Sequence, residues 1–149
     1  MVIDVLLATF NGEKFLTAQL DSLAAQKNAE FRVLMQDDGS ADGTVELLRA
    51  REAIDDRFRL IDGGERSHGS VQNFFSLMKQ SDAPYAALCD QDDVWHDNKL
   101  ARCMDAMRTA ELRWGAETPL LIHSDSRLID ADGKVLGESF MAHQGWDKR

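Results

Sequence analysis

Asp90-Gln91-Asp92-Asp93 places three carboxylates within four residues, directly after the apolar run Tyr85 to Cys89. Carboxylates so close repel one another unless something positive, often a metal ion, sits between them. Hard oxygen ligands suit Mg²⁺ or Mn²⁺, which are usually held by one or two carboxylates together with substrate phosphates. Asp90 and Asp92 are therefore the candidate metal ligands, and a cation there would offset charge on a diphosphate leaving group. A DxD string alone is common. This one gains weight from the apolar strand before it and from Trp95 and a helix behind it. Asp37-Asp38-Gly39-Ser40 follows a second apolar run. A carboxylate there can accept from a nucleobase N–H or from ribose hydroxyls, while Gly39, Ser40 and Asp42 supply turn and helix-cap chemistry. Thr9-Phe10-Asn11 follows a third. Asp38, Ser40, Asp42 and Gly43 match the first half of an EF-hand loop, but its closing Glu position holds Arg49, which excludes that calcium site.

These clusters need elements to carry them. Val2 to Leu7 reads as a buried strand and Asn11-Gly12 as the turn after it. Leu16, Leu20, Leu23 and Ala24 give helical spacing within Glu13 to Gln26. Phe31 to Met35 is the second predicted strand, and Asp42-Gly43-Thr44 opens a helix through Arg51. Phe58 to Ile61 is a short third strand. Val71, Phe74, Phe75 and Met78 form the predicted core stripe of the next helix. Tyr85 to Cys89 is the fourth strand, and Leu100, Cys103, Met104 and Met107 repeat the helical stripe. Leu120 to His123 is a predicted fifth strand. Ser126 to Ile129 and Lys134 to Leu136 flank Asp132-Gly133 as a hairpin. The tail from Met141 has no clear pattern. Alternating strands and helices specify an α/β domain with a mostly parallel central sheet flanked by helices. Such sheets bind ligands beyond the carboxyl ends of their strands, where all three polar clusters fall.

The 149 residues suffice for one domain with a real core. A net charge of −9 argues against general nucleic-acid binding. Asp4 interrupts the first apolar run, so no signal peptide is expected, and no stretch approaches the roughly 18 apolar residues of a membrane span. The expectation is a soluble, cytoplasmic protein, or one peripheral at the inner face of the membrane. Cys89 and Cys103, isolated in apolar contexts, are expected as reduced core residues. Gly63-Gly64 with Arg66, His68 and Gly69 is a basic-leaning loop able to approach a diphosphate.

Taken in order, the motifs resemble those of family 2 glycosyltransferases. Ala8-Thr9-Phe10-Asn11-Gly12 is similar to the family's opening Pro-Thr-Tyr-Asn, and Asp37 to Thr44 to its Asp-Asp-Gly-Ser-x-Asp-Gly-Thr segment. Gly69 to Asn73 resembles its Gly-x-x-x-Asn helix start. Asp90 to Trp95, with Asn98-Lys99-Leu100, resembles the DxD region of the rhamnosyltransferase-like branch. The resemblance implies a GT-A-like fold and an inverting, metal-dependent transfer from a nucleotide-diphosphate sugar, dTDP- or UDP-linked, to a glycan or lipid-linked acceptor in cell-surface polysaccharide synthesis. It puts Thr9 and Asp38 on the nucleoside and Asn11 among the substrate-binding residues. It puts Asp90 near ribose or phosphate, Asp92 on the metal, and Asp93 beside either. Ser124-Asp125 and Gly133 to Phe140 resemble the segment that follows the donor site.

Inverting transfer also needs a general base. The branch's His-Asp-Trp-like string has no match, since Gly145-Trp146-Asp147 lies in the wrong setting, and the catalytic residue stays unassigned. Residues 1–149 are accordingly expected to be the donor-binding part of a transferase, truncated before the acceptor part. Two other readings remain at this point. One is a non-catalytic nucleotide-sugar-binding module. The other is a haloacid-dehalogenase-type phosphatase, in which Asp90 is the nucleophile and Asp92 the acid/base of Asp90-x-Asp92-x-Val94. That pattern requires a downstream Lys and acidic pair at strand ends, which the chain does not offer.

Overall fold

The computed structural model describes residues 2–61 and 69–146. Two compact units divide after Leu100. In the first, β1 (Ile3–Thr9) lies at the interior of a four-stranded sheet with β2 (Phe31–Asp37), β3 (Phe58–Leu60) and β4 (Tyr85–Cys89), in the order β3-β2-β1-β4. All three pairings are parallel. A parallel strand covered on both faces needs apolar side chains on both, and every residue of β1 is buried. Asp4 fits among them because the Arg32 guanidinium reaches its carboxylate with Nε at 2.8 Å and Nη2 at 2.9 Å, and Ser81 Oγ donates at 2.8 Å.

Helices α1 (Glu13–Ala24), α2 (Thr44–Ile54) and α3 (Ser70–Gln80) connect the strands. Leu6, Ala8 and Leu34 meet Leu77 of α3, with Ile61 and Phe74 packed alongside. By the alternation of strand side chains, Val5, Leu7, Val33 and Met35, all fully buried, occupy the other face. The α3 stripe departs from expectation. Val71, Phe75 and Met78 are exposed, and the buried positions are Asn73 and Leu77. Asn73 turns inward because its Nδ2 donates to the carbonyls of Gln36 (3.1 Å) and Thr9 (3.4 Å), at the ends of two strands.

Register sets where the strand ends arrive. Thr9 lies beside Asp37, whereas Cys89 lies beside Leu7. The chain after β4 therefore runs up past the end of β1, which brings the acidic loop level with Phe10.

Helix α4 (Lys99–Trp114) runs from the first unit into the second. Its Leu100 and Met104 are buried, while Cys103 is only partly so. In the second unit, β5 (Leu128–Ile129) and β6 (Val135–Gly137) form the expected antiparallel hairpin, and a short α5 (Phe140–His143) occupies the patternless tail. Leu120 to His123 does not form a strand. No described strand pairs with it, and Leu121 is 85% exposed.

Candidate functional site

The loops after β1, β2 and β4 and the start of α3 enclose a cleft of about 840 Å³, a size usual for small-molecule sites. Ala8, Thr9 and Phe10 line it from β1, Asp38 and Gly39 from β2, Asp90, Gln91 and Asp92 from β4, and Gly69, Ser70 and Phe74 from α3.

The two aspartates after β2 divide in role. Asp37 accepts from the backbone of Gly39 (2.9 Å) and Ser40 (2.7 Å), from Ser40 Oγ, and from Thr9 Oγ1 at 3.0 Å. Its carboxylate is consumed in shaping the turn. Asp38 faces the cleft, and its Oδ2 accepts the Gly69 N–H at 2.7 Å. Gly69 sits at φ 128°, a conformation L side chains rarely adopt, so the residue offering that N–H is held to glycine.

Thr9 lines the cleft with its hydroxyl turned to Asp37 and the Gln36 carbonyl. Asn11 is not among the lining residues. Its Oδ1 accepts from Ala41 N (2.9 Å), and its own N–H donates to Ser40 Oγ (2.7 Å), which braces the first loop against the second. Asp42 completes this brace. It accepts from Glu13 N and Thr44 N, at the starts of two helices, while Glu13 accepts in return from Gly43 N.

The acidic loop is electrostatically unbalanced. Burial, then the charges of Asp93 and Asp92, push the Asp90 carboxyl above the ordinary carboxylate range. Burial and Asp92 push Asp93 the same way, against a smaller opposing pull from Lys99 and Trp95. Asp92 lines the cleft beside Asp90; Asp93 does not. Behind the loop, α1 and the turn after it present a buried polar row. Gln19 Nε2 donates to Cys89 Sγ, Trp95 N to Ser22 Oγ (3.0 Å), Leu100 N to Gln26 Oε1 (3.0 Å), and Gln26 Nε2 to His96 O (2.7 Å). Burial pushes the Cys89 thiol well above its ordinary value, which keeps it a neutral packing group.

The structure thus brings together Thr9, Asp38, Asp90 and Asp92, and leaves Asn11 and Asp93 off the cleft wall. Sequence reasoning gave no site role to Phe10, Ser70, Phe74 or Gln91. Phe74 falls within the apolar stripe of α3, and Gln91 is a neutral residue between two acids. The Gly63-Gly64, Arg66 and His68 loop lies outside the described residues. In the second unit, Asp125 is a turn residue. It accepts from Ser126 N, Met141 N and Ser139 Oγ, and Ser139 caps α5.

A family model for glycosyl transferase family 2 matches residues 4–113, most of the chain and all three clusters. The chain belongs to glycosyl transferase family 2. Among its relatives, this family 2 chain is 28% identical over 105 residues to the dTDP-rhamnosyl transferase RfbG of Shigella flexneri, covering 68% of this chain and 36% of that protein. The fold is shared with S. aureus TarS 1–349 in complex with UDP-GlcNAc, at TM-score 0.61 and 23% identity, covering 87% of this chain and 40% of that one. It is shared also with the mannosyltransferase PcManGT of Pyrobaculum calidifontis in complex with GDP-Man and Mn²⁺, at TM-score 0.62 and 20% identity, covering 68% and 31%. The chain spans about two fifths or less of the length of these proteins. The family match leaves the phosphatase reading of Asp90 and Asp92 without support. Among the described residues, no helix is long and apolar enough to cross a membrane.

Proposed function

We propose that the chain forms the donor side of an inverting glycosyltransferase, binding a nucleoside-diphosphate sugar in the cleft with Mg²⁺ or Mn²⁺ held by Asp92 and Asp90. The observation that carries this reading is the convergence of Thr9, Asp38, Asp90 and Asp92 on one cleft at the carboxyl edge of a parallel sheet.

The residues fit a cation shared with substrate better than one caged by protein. Asp90 and Asp93 are crowded anions in partial burial. Among the described residues, no group of three His, Cys, Asp or Glu is placed to hold an ion unaided. Two carboxylates completed by phosphate oxygens are a usual way to bind Mg²⁺. When bound, such a cation supplies positive charge opposite the diphosphate leaving group. Asp38, fixed by Gly69, accepts from a base N–H or a ribose hydroxyl. Thr9 sets the turn that aims it, Asn11 braces the loop beside it, and Asp93 backs the acidic loop.

In the transfer, the acceptor oxygen of a glycan or lipid-linked hydroxyl bonds to the anomeric carbon as the bond to the diphosphate oxygen breaks. The acceptor's proton passes to a base that no described residue is assigned to be. A dTDP- or UDP-linked donor accords with the similarity to a dTDP-rhamnosyl transferase and to a fold that holds UDP-GlcNAc.

Calorimetry with UDP and dTDP, in Mn²⁺ and in chelator, tests the reading. Metal-dependent binding is expected in the wild type, with the metal dependence largely lost in Asp92→Asn at an unchanged melting temperature. At a hundred times its dissociation constant, the nucleotide should stabilise the fold by about 2.7 kcal/mol. Equal affinity with and without metal rejects the metal site.

A further inference from the structure

Gln91 stands between the two carboxylates assigned to the metal, and its side chain makes a bond pair no other residue of the loop makes. Its Oε1 accepts the Phe10 N–H at 2.8 Å, and its Nε2 donates to the Phe10 carbonyl at 3.0 Å. Phe10 is the first residue beyond β1, where the ladder has ended. Gln91 thus satisfies both of its backbone groups, much as a strand neighbour would. The contact joins positions 81 apart.

Gly12 shows how closely this clamp is fitted. A Cβ placed there would stand 2.3 Å from Gln91 Oε1 and 2.6 Å from Cδ. The Gly12 backbone, at φ −101° and ψ 4°, is open to any residue. A side chain at Gly12 would therefore have to displace the Gln91 carboxamide. Farther along the same segment, Trp95 N is held by Ser22 Oγ. The acidic loop is tied at Gln91 and at Trp95, and the Asp90 and Asp92 carboxylates take part in neither tie.

We propose that Gln91 is a positioning residue: by clamping the acidic loop to the Phe10 backbone it fixes where Asp90 and Asp92 stand in the cleft, and Gly12 is kept small to admit it. The consequence for ligand binding rests on the metal–nucleotide reading above; the clamp itself does not.

Hydrogen–deuterium exchange on the ligand-free 149-residue chain tests the clamp, and calorimetry with UDP and Mn²⁺ tests its consequence. Two neutral hydrogen bonds correspond to about a tenfold change in a local equilibrium. Gln91→Ala and Gly12→Ala reach the clamp from opposite sides. Each should speed exchange across residues 90–94 by about tenfold, with β1 and α1 unchanged. Each should weaken UDP binding in Mn²⁺ by about the same factor while leaving uridine binding unaltered. The double variant should be no worse than either single one, since both remove the same contact. Unchanged loop exchange in Gln91→Ala, or additive losses in the double variant, overturns the proposal. A wild type that binds no UDP in Mn²⁺ sinks the functional reading instead, and the exchange data still decide the role of Gln91.

Discussion

Asp37 and Asp38 are adjacent in the chain and carry different loads. Four donors converge on the Asp37 carboxylate, whereas Asp38 faces the cleft with Gly69 N–H behind it. Asp38→Ala is therefore expected to weaken UDP and UMP alike, by roughly ten- to a hundredfold, the range for losing a hydrogen bond to a charged group. Asp37→Ala should instead cost about 2–3 kcal/mol of stability, read by urea unfolding. Equal nucleotide affinity in Asp38→Ala would make it a turn residue only. The sequence showed that a pair of acids ends a strand, and it showed Ser40 and Asp42 as turn and cap residues. The resemblance singled out Asp38, but spacing alone gives no physical reason to prefer it to Asp37. That choice is made by Thr9, 28 positions away, whose hydroxyl claims Asp37. Gln91 was illegible for the same reason, because its partner is a backbone that carries no sequence signature.

At the scale of the element, α3 shows where periodicity misleads. Two apolar stripes overlap on it, and the larger one, Val71, Phe75 and Met78, is exposed. The orientation follows a polar residue: Asn73 must reach the carbonyls of Gln36 and Thr9, and Leu77, one turn on, goes inward with it. Asn73→Leu, although more hydrophobic, should destabilise the fold by about 1–3 kcal/mol by leaving those acceptors without the amide. Phe75→Ser should stay within about 0.5 kcal/mol, as surface changes do. Thermal melts of the two variants compare the predictions directly, and the opposite ranking would restore the apolar stripe as the core face. β1 and β2 were legible because a doubly covered parallel strand has a distinctive composition. Leu120 to His123 has a similar apolar composition but no strand partner among the described residues, and composition cannot report a partner.

For the whole molecule, the pair between β1 and β2 links acid stability to the sheet. Burial works against the charge on Asp4, but Arg32 and Ser81 outweigh it and hold the carboxyl below its usual range. A carboxyl lowered in the folded state adds stability that is present above its unfolded value, near 4, and is lost as pH falls through the folded one. Asp4→Asn should flatten that acid limb, and Arg32→Ala should lower stability at neutral pH by up to about 3–5 kcal/mol by stranding a buried charge. Urea midpoints between pH 2 and pH 7 read both; parallel curves for wild type and Asp4→Asn would remove Asp4 from the account. The register described above also carries a kinetic meaning. Thr9 and Asp37 close a span of 28 positions, whereas Phe10 and Gln91 close one of 81. Longer loops cost more entropy to close, and distant parallel pairings slow folding. The β1–β2 pair that aims Asp38 is therefore expected to assemble while β4 is still unattached, with the acidic loop joining after it. On the reading proposed above, a refolding chain would acquire its nucleoside contact before its cation site, and binding of a metal–nucleotide complex would report the docking of the acidic loop.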